Sequence, residues 1–282
     1  MEMNNKPIGV FDSGIGGLTV AREIMEQLPQ ESIVYFGDTA RVPYGSKSRE
    51  TVTRFAFEGL NFLLSQDVKM VVVACNTVSA TCLEELKKYS PVPVLGVIEP
   101  GARAAASGTY TGTVGVIGTE RTIKSQAYVK AIHDINRDIN IYSKACPLFV
   151  PLVEEGWLDN EAAFYTARTY LTPLKKEGID TLVLACTHYP LLKPTLQAVM
   201  GENVRLVDSA YETAKEVSRM LKVMKLERYE AAPSVYRYFV SDDPTKFIEV
   251  GERFLQRPID PINVIDPEMP CQGLKSKGRK SE

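Results

Sequence analysis

Apolar residues along this chain fall into two alternating patterns. In IGVFD (8–12), SIVYFGD (32–38), MVVVAC (70–75) and VPVLGVI (92–98), hydrophobic residues follow one another almost without interruption. Between these runs lie LTVAREIMEQL, TVTRFAFEGLNFLL and SATCLEELKKY, where apolar residues recur at every third or fourth position. The first pattern predicts strands buried on both faces, and the second predicts helices with one apolar side. The order then repeats, with strands expected at GTVGVIGT (112–119), NIYSKAC (140–146), DTLVLAC (180–186) and NVRLVDS (203–209). Strand–helix alternation of this kind predicts an α/β protein. Two sets of four strands predict two pseudo-symmetric lobes, each a mostly parallel sheet covered by helices.

After residue 209 the pattern continues as a helix, a strand and a helix: AYETAKEVSRMLKVMK, SVYRYFVSDD and PTKFIEVGERFLQ. These are expected to return to the first lobe. That lobe is then discontinuous, residues 1–97 plus 210–269, and the second spans 98–209. The end of the chain, 270–282, is basic and lacks apolar periodicity, which predicts a disordered tail.

Composition narrows the function. Of 282 residues 44 % are hydrophobic, enough for a large core, and no run approaches the 18 apolar residues of a membrane span. No basic segment followed by a long apolar one opens the chain, so a cytoplasmic protein is expected. A net charge of −2 leaves no electrostatic footprint for nucleic acid. The five cysteines are Cys75, Cys82, Cys146, Cys186 and Cys271. An odd count without a C-x-x-C pair fits neither a disulfide framework nor a structural zinc site, and no metal is expected.

Two of those cysteines occupy matching places. VVVACNT and LVLACTH each end an apolar strand with Ala-Cys and then two residues whose side chains donate hydrogen bonds: Asn76 and Thr77, and Thr187 and His188. Ligands of parallel sheets lie beyond the carboxyl ends of strands, where both motifs fall, each directly before an expected helix. A single buried cysteine is ordinary core; two at matched strand ends of two lobes suggest one cleft with a thiol on either side. One thiolate and one thiol can remove a proton from one face of a carbon and return one to the other. The thiolate needs local support, which helix N-termini and His188 could supply. Cys82 and Cys146 read as packing, and His133 as a surface residue.

Other strand ends contribute further candidates. In FDSGIGGLTV, Asp12 and Ser13 precede a glycine turn whose amides suit a carboxylate or phosphate, although Thr19 breaks the dinucleotide pattern. Asp12 would repel a pyrophosphate and favour an ammonium group. The loop GDTARVPYGSKS offers Asp38, Arg41, Tyr44 and Gly45. Thr119 ends the first strand of the second lobe, and Glu154 follows an apolar stretch in FVPLVEEG.

FDSGIGGL, GDTARVPYG, ACNTVSA and ACTHYPLL, in this order and spacing, resemble the glutamate racemases of the aspartate/glutamate racemase superfamily, from about residue 7 to 255. The resemblance implies two α/β lobes with the active site between them, often in a homodimer. It also implies a cofactor-independent interconversion of L- and D-glutamate that supplies D-glutamate for peptidoglycan. Carried over, Cys75 and Cys186 match the catalytic cysteines, and Asp12, Glu154 and His188 match groups that assist proton transfer. Asp12, Ser13, Tyr44, Gly45, Asn76, Thr77, Thr119, Thr187 and His188 match substrate-binding positions, with Asp38 nearby. A racemase for aspartate or hydantoins would share this chemistry. A zinc site at Cys75, Cys186 and His188, and a non-catalytic two-lobed binding protein, are alternatives that the residues alone leave open.

Overall fold

The computed structural model describes residues 3–229 and 233–267; Cys271 and the basic tail lie outside the described residues. Its first lobe opens with β1 (Ile8–Asp12), α1 (Leu18–Gln27), β2 (Ile33–Gly37), α2 (Arg49–Ser65), β3 (Met70–Val73), α3 (Asn76–Tyr89) and β4 (Val94–Gly96). Helix α4 (Ile98–Gly108) leads to the second sheet, formed by β5 (Thr113–Gly118), β6 (Asn140–Ala145), β7 (Thr181–Ala185) and β8 (Arg205–Asp208). Between these strands run α5 (Glu120–Lys124), α6 (Ala127–His133), α7 (Phe149–Glu154), α8 (Glu161–Lys176) and α9 (Lys193–Met200). Helix α10 (Ser209–Met224) packs on both α1 and α4. The chain then re-enters the first sheet through β9 (Tyr236–Val240), α11 (Pro244–Leu255) and β10 (Ile262–Val264).

The strand orders are β10-β9-β2-β1-β3-β4 and β6-β5-β7-β8, and every pairing is parallel. The two expected parallel sheets are therefore present, with helices covering them. Strands β1, β2, β3 and β7 are buried at every residue, as near-continuous apolar runs require. Only β6 alternates exposed and half-buried residues, which fits its place at a sheet edge.

Register sets the chemistry-bearing residues side by side. Phe11 pairs with both Phe36 and Val73, so Asp12, Asp38 and Cys75 leave neighbouring strands at one end of the first sheet. Gly118 pairs with Ala185 and Ala145, which aligns Thr119, Cys186 and Cys146 in the second.

Two expected elements differ. The strand foreseen over 92–98 is confined to Val94–Gly96, and α4 begins at Ile98, with Pro100 in its first turn, where proline is tolerated. The helix expected directly after Cys186 is delayed. Pro194, whose ring would clash with the Pro190 carbonyl in a continuous helix, lies in the first turn of α9. Residues Tyr189–Leu192 instead form a tight 3-10 turn. Cys75, by contrast, is the N-cap residue of α3.

Candidate active site

One small cavity, about 70 Å³, lies between the two sets of strand ends. The first lobe lines it with Ser13, Gly14, Ile15, Val42, Pro43, Tyr44, Gly45, Cys75, Asn76 and Thr77; the second contributes Thr119, Val150, Glu154, Cys186, Thr187 and His188. Both thiols thus line the same space between the lobes. Among the described residues no three of His, Cys, Asp and Glu come together as a metal site would require.

The lobes meet around this cavity through close polar contacts. Thr77 Oγ1 lies 3.1 Å from Thr119 Oγ1, and Thr19 donates to the Thr187 carbonyl at 3.1 Å. At Gly16 a Cβ would sit 2.2 Å from Thr187 Oγ1 and 2.5 Å from His188 Nδ1, so only glycine permits the turn to seat there. The Tyr44 loop is fixed from behind. Tyr44 donates its hydroxyl to Asp38, which also accepts from Arg41 and, at 2.7 Å, from Ser241.

Two candidates do not line the cavity. Asp38 is fully buried behind Tyr44, where it anchors the loop. Asp12 lies beneath the glycine turn, 1 % exposed, and its Oδ2 accepts from the Gly14 amide at 2.9 Å. Part of the turn expected to offer its amides to an external anion is thus taken by Asp12 itself. Its Oδ1 is buried with no hydrogen-bond partner.

A profile of the family described as Asp/Glu/hydantoin racemase matches residues 8–217. This chain belongs to that family. The glutamate racemase of Geobacter metallireducens is 59 % identical over 250 residues, 89 % of this chain and 93 % of that one. A crystal structure of the Francisella tularensis glutamate racemase in complex with D-glutamate superposes with a TM-score of 0.88 at 40 % identity, covering 94 % of this chain and 99 % of that one. The Bacillus anthracis glutamate racemase gives 0.90 at 43 % identity, covering 93 % and 98 %.

In this racemase the two thiols have different surroundings. Cys75 Sγ lies 3.4 Å from the Ser13 hydroxyl. Burial pushes its thiol up to about 12 and the Asp12 charge adds to this, against Ser13 and the Val78 amide in the first turn of α3. Cys186 Sγ lies 4.0 Å from His188 Nδ1, and His188 Nε2 lies 3.2 Å from Glu154 Oε1. Burial alone would lower the imidazole pKa, but hydrogen bonding to Cys186 and Glu154, with their charges, raises it to about 10. Glu154 is held below the usual carboxylate range, first by His188, and its Oε2 meets Lys246 Nζ at 3.4 Å. Burial raises the Asp12 carboxyl, with the His188 charge and the turn amides opposing.

Sequence reasoning did not single out Val42, Pro43 and Val150 as cavity walls, although all three stand inside stretches that carry other candidates. It missed Lys246 and Phe254 altogether. Phe254 packs edge-on against His188, with ring centroids 5.3 Å apart. Both belong to α11, where they form part of an ordinary amphipathic helix. Nothing in that local pattern points to Glu154, 92 residues away from Lys246.

Proposed function

We propose that this chain interconverts L- and D-glutamate without a cofactor, through Cys75 and Cys186 acting on opposite faces of Cα. The observation that carries the reading is the pair of buried thiols lining one small cavity, each at the carboxyl end of an equivalent strand. The family's range also includes aspartate and hydantoins; the named relatives favour glutamate.

In the L-to-D direction Cys186 takes the α-proton, with His188 Nδ1 4.0 Å from its sulfur. Cys75, kept as a thiol by burial and by Asp12, delivers a proton to the other face. Reversal exchanges the roles. An α-hydrogen is far less acidic than a thiol, so the developing carbanion needs preorganised donors at its carboxylate. The Asn76 amide and the Thr77 and Thr187 hydroxyls, which line the cavity, supply them. Asp12, buried beneath the turn, acts on the site through its charge beside Cys75 and through the turn that it holds. The reading carries with it a cytoplasmic homodimer that furnishes D-glutamate for peptidoglycan.

Purified protein treated with a chelator, incubated with L-glutamate or L-aspartate and followed by optical rotation, tests it. Loss of rotation with glutamate is expected. Activity confined to aspartate, or activity that EDTA removes and zinc restores, would overturn it.

A further inference from the structure

The Asn76 amide, which lines the cavity, has a partner of its own that does not. Tyr128, on α6 of the second lobe, donates its hydroxyl to Asn76 Oδ1 at 2.8 Å, while Asn76 opens α3 of the first lobe. Each residue is only 2 % exposed. Asn76 Nδ2 is also buried, and among the described residues no group accepts its hydrogens.

A primary amide carries its acceptor and its two donors on one rigid plane. Whatever captures the oxygen therefore decides where the NH2 group points. Tyr128 can only donate in this role, because burial holds its phenol well above the usual range and keeps it protonated. Its seat is also tight. A Cβ on Gly101 of α4 would lie 3.3 Å from the phenol oxygen and 3.4 Å from Ser209 Cβ, so the hydroxyl is wedged where those elements converge.

We propose that Tyr128 is a positioning residue of this racemase: by occupying Asn76 Oδ1 it turns Asn76 Nδ2 toward the cavity, as a donor for the substrate's α-carboxylate. The inference rests on the amino-acid racemase reading above. It adds a link between lobe closure and chemistry, because the tyrosine comes from one lobe and the amide from the other. Separation of the lobes breaks the 2.8 Å bond and releases the amide.

Tyr128→Phe retains the ring and removes only the oxygen. Its kcat/KM for glutamate is expected to fall about tenfold, the value of one well-placed buried hydrogen bond, with most of the loss in KM and the folded state intact by thermal melting. The same substitution in an Asn76→Ala background should change kcat/KM little, because the amide it positions is gone. Gly101→Ala, which keeps the hydroxyl but crowds it, should give a smaller loss that also vanishes in the Asn76→Ala background, and it decides the matter if Tyr128→Phe does not fold. A Tyr128→Phe enzyme with wild-type kcat/KM, or an equal loss with and without Asn76, would overturn the inference alone. Wild type that racemises aspartate instead of glutamate would overturn only the substrate reading, and the comparison is then made on aspartate; wild type inert on both would overturn both.

Discussion

The ends of β3 and β7 are two versions of one device. Each is a buried apolar strand of a parallel sheet, and each delivers Ala-Cys and two polar residues to the same cavity. They differ in the backbone beyond the cysteine and in the groups beside the sulfur. Cys75 caps a full helix, shares its surroundings with the buried Asp12 carboxylate, and has the Ser13 hydroxyl within hydrogen-bonding distance. Cys186 lies two residues before His188, the N-cap of a proline-containing 3-10 turn, and His188 contacts Glu154, which in turn meets Lys246. Negative charge therefore crowds one thiol, and a cation attends the other. Under the proposed reaction, unequal neighbours around a duplicated strand end are what would let identical side chains serve as acid and base.

The largest expected effect comes from removing either sulfur. Cys75→Ser and Cys186→Ser should each lower racemisation on the order of 10²–10⁴-fold, the range of a lost general acid or base. Their difference sharpens the comparison. With glutamate analogues that expel a leaving group after one deprotonation, Cys75→Ser should retain more turnover on the L form and Cys186→Ser on the D form. Either variant racemising near the wild-type rate would break the comparison; the reverse preference would exchange the faces.

A smaller effect separates the two sides by pH. The folded-state pKa of His188, about 10, lies above the ordinary imidazole value of 6.5. A group whose pKa is raised on folding stabilises the protein below its unfolded pKa and loses that contribution as pH rises through its folded one. Wild type should therefore exceed His188→Gln in melting temperature most near pH 6, with the gap closing from about pH 7 to 10. A gap that does not change across this window would mean that His188 is not held as the cation beside Cys186.

The end of the chain of charges should matter least. Lys246 is 61 % exposed at its side chain and touches Glu154 at 3.4 Å, so solvent screens most of the interaction. Lys246→Ala should cut kcat/KM by no more than about fivefold, the upper end for a surface pair. A loss comparable to that of Cys186→Ser would show that the relay, and not the His188–Glu154 pair alone, sets up this side of the site.

Much of this arrangement was legible because it rests on local pattern. Buried parallel strands advertise themselves as unbroken apolar runs, and their carboxyl ends are where ligands gather. Cys75, Cys186, Asn76, Thr77, Thr119, Thr187 and His188 could thus be assigned to one cleft from spacing and resemblance. Side-chain direction was not legible. Asp12 and Asp38 end their strands as expected, yet the first turns under the glycine loop and the second backs Tyr44, because the backbone beyond the strand decides where each carboxylate points. The break before α9 lay in Pro190 and Pro194, residues that helical periodicity passes over. Tyr128 and Lys246 reach the site only through packing between distant elements, which no local stretch records.

In the proposed reaction one thiol removes the proton and the other, already exchanged with solvent, supplies its replacement. Racemisation of L-glutamate in heavy water, stopped at low conversion, tests this most directly by mass spectrometry of the separated enantiomers. Early D-glutamate is expected to carry deuterium at Cα while the remaining L-glutamate is still largely unlabelled. Early D-glutamate that retains the original hydrogen would mean that one base serves both faces, and would contradict the account.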